Sequence, residues 1–197
     1  MQRSLPVFSL LILSALCYSI QPTNLLAEEE DKSPKPDVVY VPTPNDVVAK
    51  MLQLAKVSKK DVVYDLGCGD GRIVVTAASK FGCQGVGYDI NPVRVKESLE
   101  NIKKAGVGEL VQIKQENIFE ADLTPASVVT LYLLPRLNVQ LIPQLNKLKP
   151  GSRVVSHAYD MEGVTPDETI TVKSKEDGAN HLIYLWTIPL KVEKKAE

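Results

Sequence analysis

The chain has 197 residues, 44% of them hydrophobic and 24% charged, which is enough apolar material for one core and places it among ordinary single-domain globular proteins. Its formal charge of −1 gives no basic field, so the composition argues against a nucleic-acid partner.

From the N-terminus, Arg3 precedes an apolar run over residues 5–16, broken only by Pro6, Ser9 and Ser14. A polar stretch, Leu25-Leu-Ala27 and the acidic Glu28-Glu-Glu-Asp31 follow. That is the three-part layout of a secretory signal, with an apolar segment too short to span a bilayer comfortably. Residues 1–27 are therefore predicted to direct export to the periplasm or the exterior. An uncleaved anchor, which would hold the chain near a membrane, and a mitochondrial-type leader are the alternatives. Residues 28–37 are charged and proline-containing without apolar periodicity, and read as a disordered linker. A domain over 38–190 and a charged tail over 191–197 complete the organisation.

Thr43-Pro44-Asn45-Asp46 offers a cap, a proline at the first helical position and an acid in the first turn. A helix is predicted from there to about Ala55, burying Val47, Val48, Met51, Leu52 and Leu54. A strand over 62–66, a helix over 72–80 and a strand over 84–88 follow. Asn91-Pro92 caps the next helix, with Val95, Leu99 and Ile102 toward the core and Gly106 as its end. Strands over 111–115, 127–133 and 153–158 enclose a helix marked by Leu141, Ile142, Leu145 and Leu148. Beyond Ala158 the alternation stops, and the β-rich segments 168–172 and 182–188 read as an antiparallel hairpin around a turn-forming cluster. The fold predicted is α/β, a Rossmann-like, doubly wound and mostly parallel seven-stranded sheet ending in that hairpin, in three α/β/α layers. Cys68 and Cys83 fall at opposite ends of neighbouring parallel strands, roughly 17 Å apart along the strand direction and beyond the ~7 Å limit for a bridge. With Cys17 in the leader, no disulfide is expected.

The chemistry is concentrated in Asp61-Val-Val-Tyr-Asp65-Leu-Gly67-Cys-Gly69-Asp-Gly71-Arg72 and in Gly85-Val-Gly-Tyr-Asp89-Ile-Asn-Pro92. Strand, glycine turn, helix, strand and acid in that order bring a bare backbone loop to a ligand and set a carboxylate beside its sugar hydroxyls. The glycines are spaced G-x-G-x-G, not the G-x-G-x-x-G that seats a pyrophosphate, which disfavours a dinucleotide oxidoreductase of the same topology.

These two motifs resemble those of the class I S-adenosylmethionine-dependent methyltransferases with a seven-stranded sheet. Tyr40-Val-Pro-Thr-Pro44 upstream, and Gly-Asp-Gly-Arg-Ile-Val within the first motif, are similar to the branch of the ATP synthase c-subunit lysine methyltransferases and their bacterial relatives. The resemblance covers roughly residues 38–158 and implies S-adenosylmethionine as cofactor. It also implies one more helix before the terminal hairpin. Residues 159–180 are too few for both a helix and a strand, so this chain is expected to lack that helix or keep a single turn of it.

By the same resemblance Gly67, Cys68, Gly69 and Gly71 form the cofactor turn, and Asp89, followed by Ile90, accepts from both ribose hydroxyls. Asp65 either orders the glycine loop and reaches the cofactor's amino group through water, or simply holds turn amides. Asn117 and Ile118 fall where an acid and an apolar residue commonly meet the adenine; Asn117 as a plain turn residue is the alternative. Tyr40 and Thr43 are expected to fold over the methionine end, with a buried aromatic and a helix cap as the plainer reading.

Transfer of a methyl from a sulfonium to an amine needs alignment more than acid or base, so no catalytic triad is expected. Tyr132-Leu-Leu-Pro135 lacks the polar first residue that amide-nitrogen and adenine methylases carry at this position, which turns the expected acceptor toward a protein lysine or a small amine. His157 and His181 make no metal spacing; His157, at the end of its strand, is the better placed to line an acceptor site. A non-catalytic domain binding S-adenosylmethionine or S-adenosylhomocysteine is the competing reading, since an exported enzyme would lack a cytosolic cofactor. Oligomeric state is open.

Overall fold

The computed structural model describes residues 40–192; the leader, the linker and residues 193–197 of the charged tail lie outside the described residues. In chain order the elements are α1 (Asn45–Leu54), β1 (Val62–Leu66), α2 (Arg72–Phe81), β2 (Gln84–Asp89), α3 (Pro92–Ala105), β3 (Val111–Gln115) and β4 (Val128–Leu131). They continue with α4 (Pro135–Leu145), β5 (Arg153–His157), β6 (Val164–Thr165), β7 (Glu168–Lys173), β8 (Asn180–Thr187) and β9 (Lys191–Val192).

Among the described residues the main sheet has seven strands in the order β3-β2-β1-β4-β5-β8-β7. The first five are parallel, and β8 pairs antiparallel with both β5 and β7. The chain winds outward from β1 to β3, then returns to β4 on the other side of β1. That reversal splays the connections apart at the carboxyl ends of β1 and β4 and opens a crevice there.

The central strands are buried on both faces, which is why they read as runs of Val and Leu. Val63, Val128, Val155 and Ile183 pack under α1 and α2, while Tyr64, Leu66, Leu131, Val154 and Trp186 pack under α4 on the other face. No helix lies between β5 and β7. Instead β6 and β9 form an antiparallel ribbon, and Met161, Val164 and Leu190 close over Trp186, whose Nε1–H donates to the Val164 carbonyl at 3.1 Å.

Two local expectations fail. In α3, Leu99 is 51% exposed and the core position beside Ile102 belongs to Ser98, which is fully buried. The reason lies across the interface, where a Cβ on Gly71 would come within 2.9 Å of the Ser98 Cβ, so only a small residue lets α3 approach the start of α2. Thr43 does not cap α1: Pro44 holds the cap position without a side-chain bond, and Thr43 Oγ1 turns instead to His157 Nδ1 at 3.0 Å. Cys68 and Cys83 are both buried and free.

Candidate active site

Past Leu66 the chain turns back beneath β2, and the Gly67 and Cys68 N–H groups both donate to the Tyr88 carbonyl, at 2.9 and 2.8 Å. Gly69 then takes a φ of +54° and donates its N–H to Asp89 Oδ2 at 2.8 Å. Asp89 Oδ1 accepts from the Asn91 N–H at 2.9 Å, while α3 is capped by Asn91 Oδ1, which accepts from Val93. The acid is therefore held between the glycine turn and the start of α3, lining the cavity. A carboxylate offers about four acceptor positions, so these two bonds leave room for a ligand's hydroxyls.

Tyr40 roofs the turn. A Cβ on Gly69 would sit 2.1 Å from its Cε2, so the ring lies flat on bare backbone. Arg94 of α3 stacks its guanidinium 4.7 Å from the ring centroid and pairs with Glu97. Arg72 fastens the segment from the other side, with Nη1 donating to the Thr43 carbonyl at 2.8 Å while the same guanidinium forks onto Asp70. Burial, aided by the Asp70 charge, pushes the Tyr40 phenol above its ordinary range. Its hydroxyl is buried and finds no partner among the described residues.

At the β3 end of the crevice, Ile90, Ile118 and Phe119 form an apolar slot. Asn117 lines it too, but its amide is committed to the turn, with Oδ1 accepting from the Phe119 N–H and Nδ2 donating to Glu120, both at 3.1 Å. Of the residues singled out from the sequence, Tyr40, Thr43, Asp65, Gly67, Cys68, Asp89, Ile90, Asn117 and Ile118 share this one cavity. Gly69 and Gly71 do not reach it, Gly69 being covered by Tyr40 and Gly71 by Ser98. Sequence reasoning missed Asp70, Arg72, Arg94 and Phe119, although the Gly-Asp-Gly-Arg run already held the pair that ties the strap down; Tyr132 and Leu133, from the segment after β4 that the sequence singled out, also line the cavity.

Asp65 does not hold the turn amides. It accepts from Thr130 Oγ1 at 2.6 Å, and burial, against that hydrogen bond and with Asp89 and Asp70 adding to it, raises its pKa to about 7. Unfolded, the same group ionises near 3.9. The proton it keeps stabilises the fold fully below that value, and this contribution is lost as pH rises to about 7. Asp65→Asn, which still accepts from Thr130, is expected to raise the free energy of unfolding at pH 8 by roughly 2–4 kcal/mol and to change little at pH 4. Urea titrations at the two pH values measure this directly.

His157 is buried behind Thr43 and Tyr132, both of which line the cavity; its ring lies 4.1 Å from that of Tyr132, centroid to centroid. It therefore does not line the cavity itself, and its Nε2 meets His181 Nδ1 at 2.8 Å. Among the described residues no group of three His, Cys, Asp or Glu is placed to hold a metal.

The model of the ANTKMT methyltransferase domain matches residues 65–168, spanning the turn, the acid and the slot. The chain belongs to this family. A protein-lysine N-methyltransferase of Saccharolobus islandicus (strain REY15A) is 52% identical to this ANTKMT-family chain over 156 residues, 78% of the chain and 95% of the relative. An ATP synthase c-subunit lysine N-methyltransferase of Caenorhabditis elegans is 29% identical over 63% of the chain and 68% of its own length. Among solved structures, an RNA methyltransferase from Salinibacter ruber in complex with S-adenosyl-L-homocysteine is 48% identical, with a TM-score of 0.72 over 80% of this chain and 99% of that one.

The ANTKMT-family chain is thus an S-adenosylmethionine-dependent methyltransferase with the seven-stranded fold. Its cavity suits that cofactor, with an apolar slot for a flat base and an acid with spare acceptor positions.

Proposed function

We propose that this enzyme methylates the side-chain amine of a lysine in a protein. The observation that carries the reading is the wall around Thr43, where Tyr40, Val41, Pro42, Tyr132, Leu133 and Leu137 surround the acceptor end of the cavity with aromatic and aliphatic surface. Such a wall takes up the alkyl stem of a lysine and strips water from its ammonium, which lowers the pKa of the amine. The name of the Saccharolobus relative supports the same class of acceptor.

S-adenosylmethionine would supply a methyl group on a sulfonium. The chain's own residues do the aligning. Asp89 is proposed to take the two ribose hydroxyls, with Gly67 and Cys68 lying along the ribose and methionine portions. Ile90, Ile118 and Phe119 are proposed to hold the base, with Asn117 shaping the slot's turn. Tyr40 and Thr43 close the methionine end. Asp65, largely protonated below about pH 7, adds no full negative charge beneath the turn.

The Salinibacter neighbour makes an RNA acceptor the second reading. Against it, the cavity arginines Arg72 and Arg94 are already paired with Asp70 and Glu97, and the whole chain carries −1. Phosphate contacts need uncompensated cations. Labelled S-adenosylmethionine incubated with the enzyme and an extract of its source should therefore place label in protein, on lysine, in a form that protease releases and ribonuclease does not. Ribonuclease-sensitive label would overturn the lysine reading.

The compartment belongs to the same proposal. Residues 1–27 are read as an export leader or an anchor, and no helix among the described residues is long and apolar enough to cross a membrane. A reporter fused to the C-terminus, compared on the two sides of the membrane, decides which acceptor proteins the enzyme meets.

A further inference from the structure

We propose that Thr43, His157, His181 and Asp177 form a hydrogen-bonded relay that carries a proton from the acceptor amine in the cavity to the protein surface. The relay rests on the amine reading above. It is continuous in the structure, with Thr43 Oγ1 to His157 Nδ1 at 3.0 Å, His157 Nε2 to His181 Nδ1 at 2.8 Å, and His181 Nε2 to Asp177 at 3.1 Å. One end, Thr43, lines the cavity, and the other, Asp177, has a side chain 45% exposed to solvent.

The direction of the chain follows from its outer end. Hydrogen bonds from Ala179 and His181 hold the Asp177 carboxyl below its usual range, so at neutral pH it is a carboxylate and only accepts. His181 Nε2 must then carry its proton, which leaves Nδ1 as the acceptor. His157 Nε2 donates to that atom and leaves its own Nδ1 as acceptor, to which the Thr43 hydroxyl donates. Thr43 Oγ1 is thereby fixed as a donor inward, and its lone pairs remain for a donor in the cavity. With His181 neutral, every link is satisfied in this polarity.

Position along the sheet places this oxygen on the acceptor side. The slot and Asp89 follow β3 and β2, whereas Tyr132 follows β4, and His157 ends β5 on the far side of the crevice. His157 is held rigidly where it stands. The Tyr159 N–H bonds the His157 carbonyl across Ala158, which adopts a φ of +64°, a strained three-residue turn that persists only when its surroundings enforce it.

The step balances without a co-reactant. The ammonium gives a proton to Thr43 Oγ1 as that atom releases its own to His157 Nδ1, and the amine keeps the electron pair of the broken N–H bond. His157 passes its Nε2 proton to His181 Nδ1. His181 is left as an imidazolium against the Asp177 carboxylate and sheds its Nε2 proton to water. Burial, with the neighbouring His181, lowers the His157 pKa to about 4, so that ring transmits a proton without storing one. The titratable groups set around the pair are Tyr132 against His157, Tyr159 beyond Tyr132, and Asp177 against His181.

His181 and Asp177 act through Thr43 and are positioning residues, so the test must read more than lost activity. Initial rates of labelling of extract protein are measured from pH 7 to pH 10 for the wild type, Asp177→Asn and His181→Gln, with S-adenosylhomocysteine binding measured alongside. At pH 7 each variant is expected to label about 100-fold more slowly, within the range general-base assistance supplies, with cofactor binding unchanged. Lysine ionises near 10.4, so by pH 10 much of the acceptor arrives deprotonated and the variants should come within a few-fold of the wild type. A ratio that stays constant with pH, or full activity at pH 7, overturns the relay. Should the wild type label no protein at any pH, the amine reading fails by itself. Imidazole nitrogen NMR of the full chain then judges the relay: both histidines as the Nε2–H form sustains it, and a proton on Nδ1 of either overturns it.

Discussion

Asp89→Ala is expected to abolish the measurable heat of S-adenosylhomocysteine binding while leaving the chain folded. Each hydrogen bond proposed from a ribose hydroxyl to this carboxylate would contribute about 1.5–3 kcal/mol, so losing both should weaken binding by roughly 10²- to 10⁴-fold. The same substitution strips the acceptor from the Gly69 and Asn91 N–H groups, loosening the turn from the start of α3. Both losses fall on one ligand pocket and on no part of the hydrophobic core. Calorimetry on the two proteins, with circular dichroism as the folding control, measures it, and equal heats would remove Asp89 from the ribose site.

Gly69→Ala is expected to be nearly as damaging, by a different route. The left-handed backbone at this position costs a non-glycine residue about 1–2 kcal/mol. The larger consequence is steric, because the new methyl would occupy the place of the Tyr40 ring and the ring must leave. With it go the Arg94 stacking and the roof over the turn. Binding of S-adenosylhomocysteine should weaken about 100-fold, with Tyr40→Ala alone producing much of the same loss. The double variant should bind little worse than Gly69→Ala, since the two changes remove one shared contact. Additive losses in the cycle would show that Tyr40 does not roof the site.

The central strands were legible because burial on both faces leaves no polar alternation to confuse the pattern, and Gly106, at a φ of +68°, ends α3 where the sequence placed its end. The α3 face was not legible. Leu99 has the right spacing for the core, but the packing partner is Gly71, and close approach of two backbones favours Ser98 over a large side chain. Two-residue strands such as β6 and β9 are too short to carry a period, so the ribbon that replaces a helix left no trace in the pattern.

Of the residues in the two motifs, Gly67 and Asp89 line the cavity as the sequence suggested, whereas Gly69 and Gly71 serve the close approach of Tyr40 and Ser98. Thr43 was misjudged because its capping chemistry is local, whereas its actual partner His157 lies 114 positions away. The pairing of His157 with His181 was likewise hidden. Residue 157 is directly opposite Ile183 on β8, so the two rings meet along a diagonal that no linear spacing rule describes.

The ribbon of β6 and β9 gives the protein a built-in optical probe. Trp186 is the one tryptophan in the chain, 1% exposed, and sealed by Met161, Val164 and Leu190 on the side of the sheet away from α1. Its emission therefore reports whether the C-terminal lap is seated, and trimming the chain ahead of Leu190 would wet the indole before any parallel strand is disturbed.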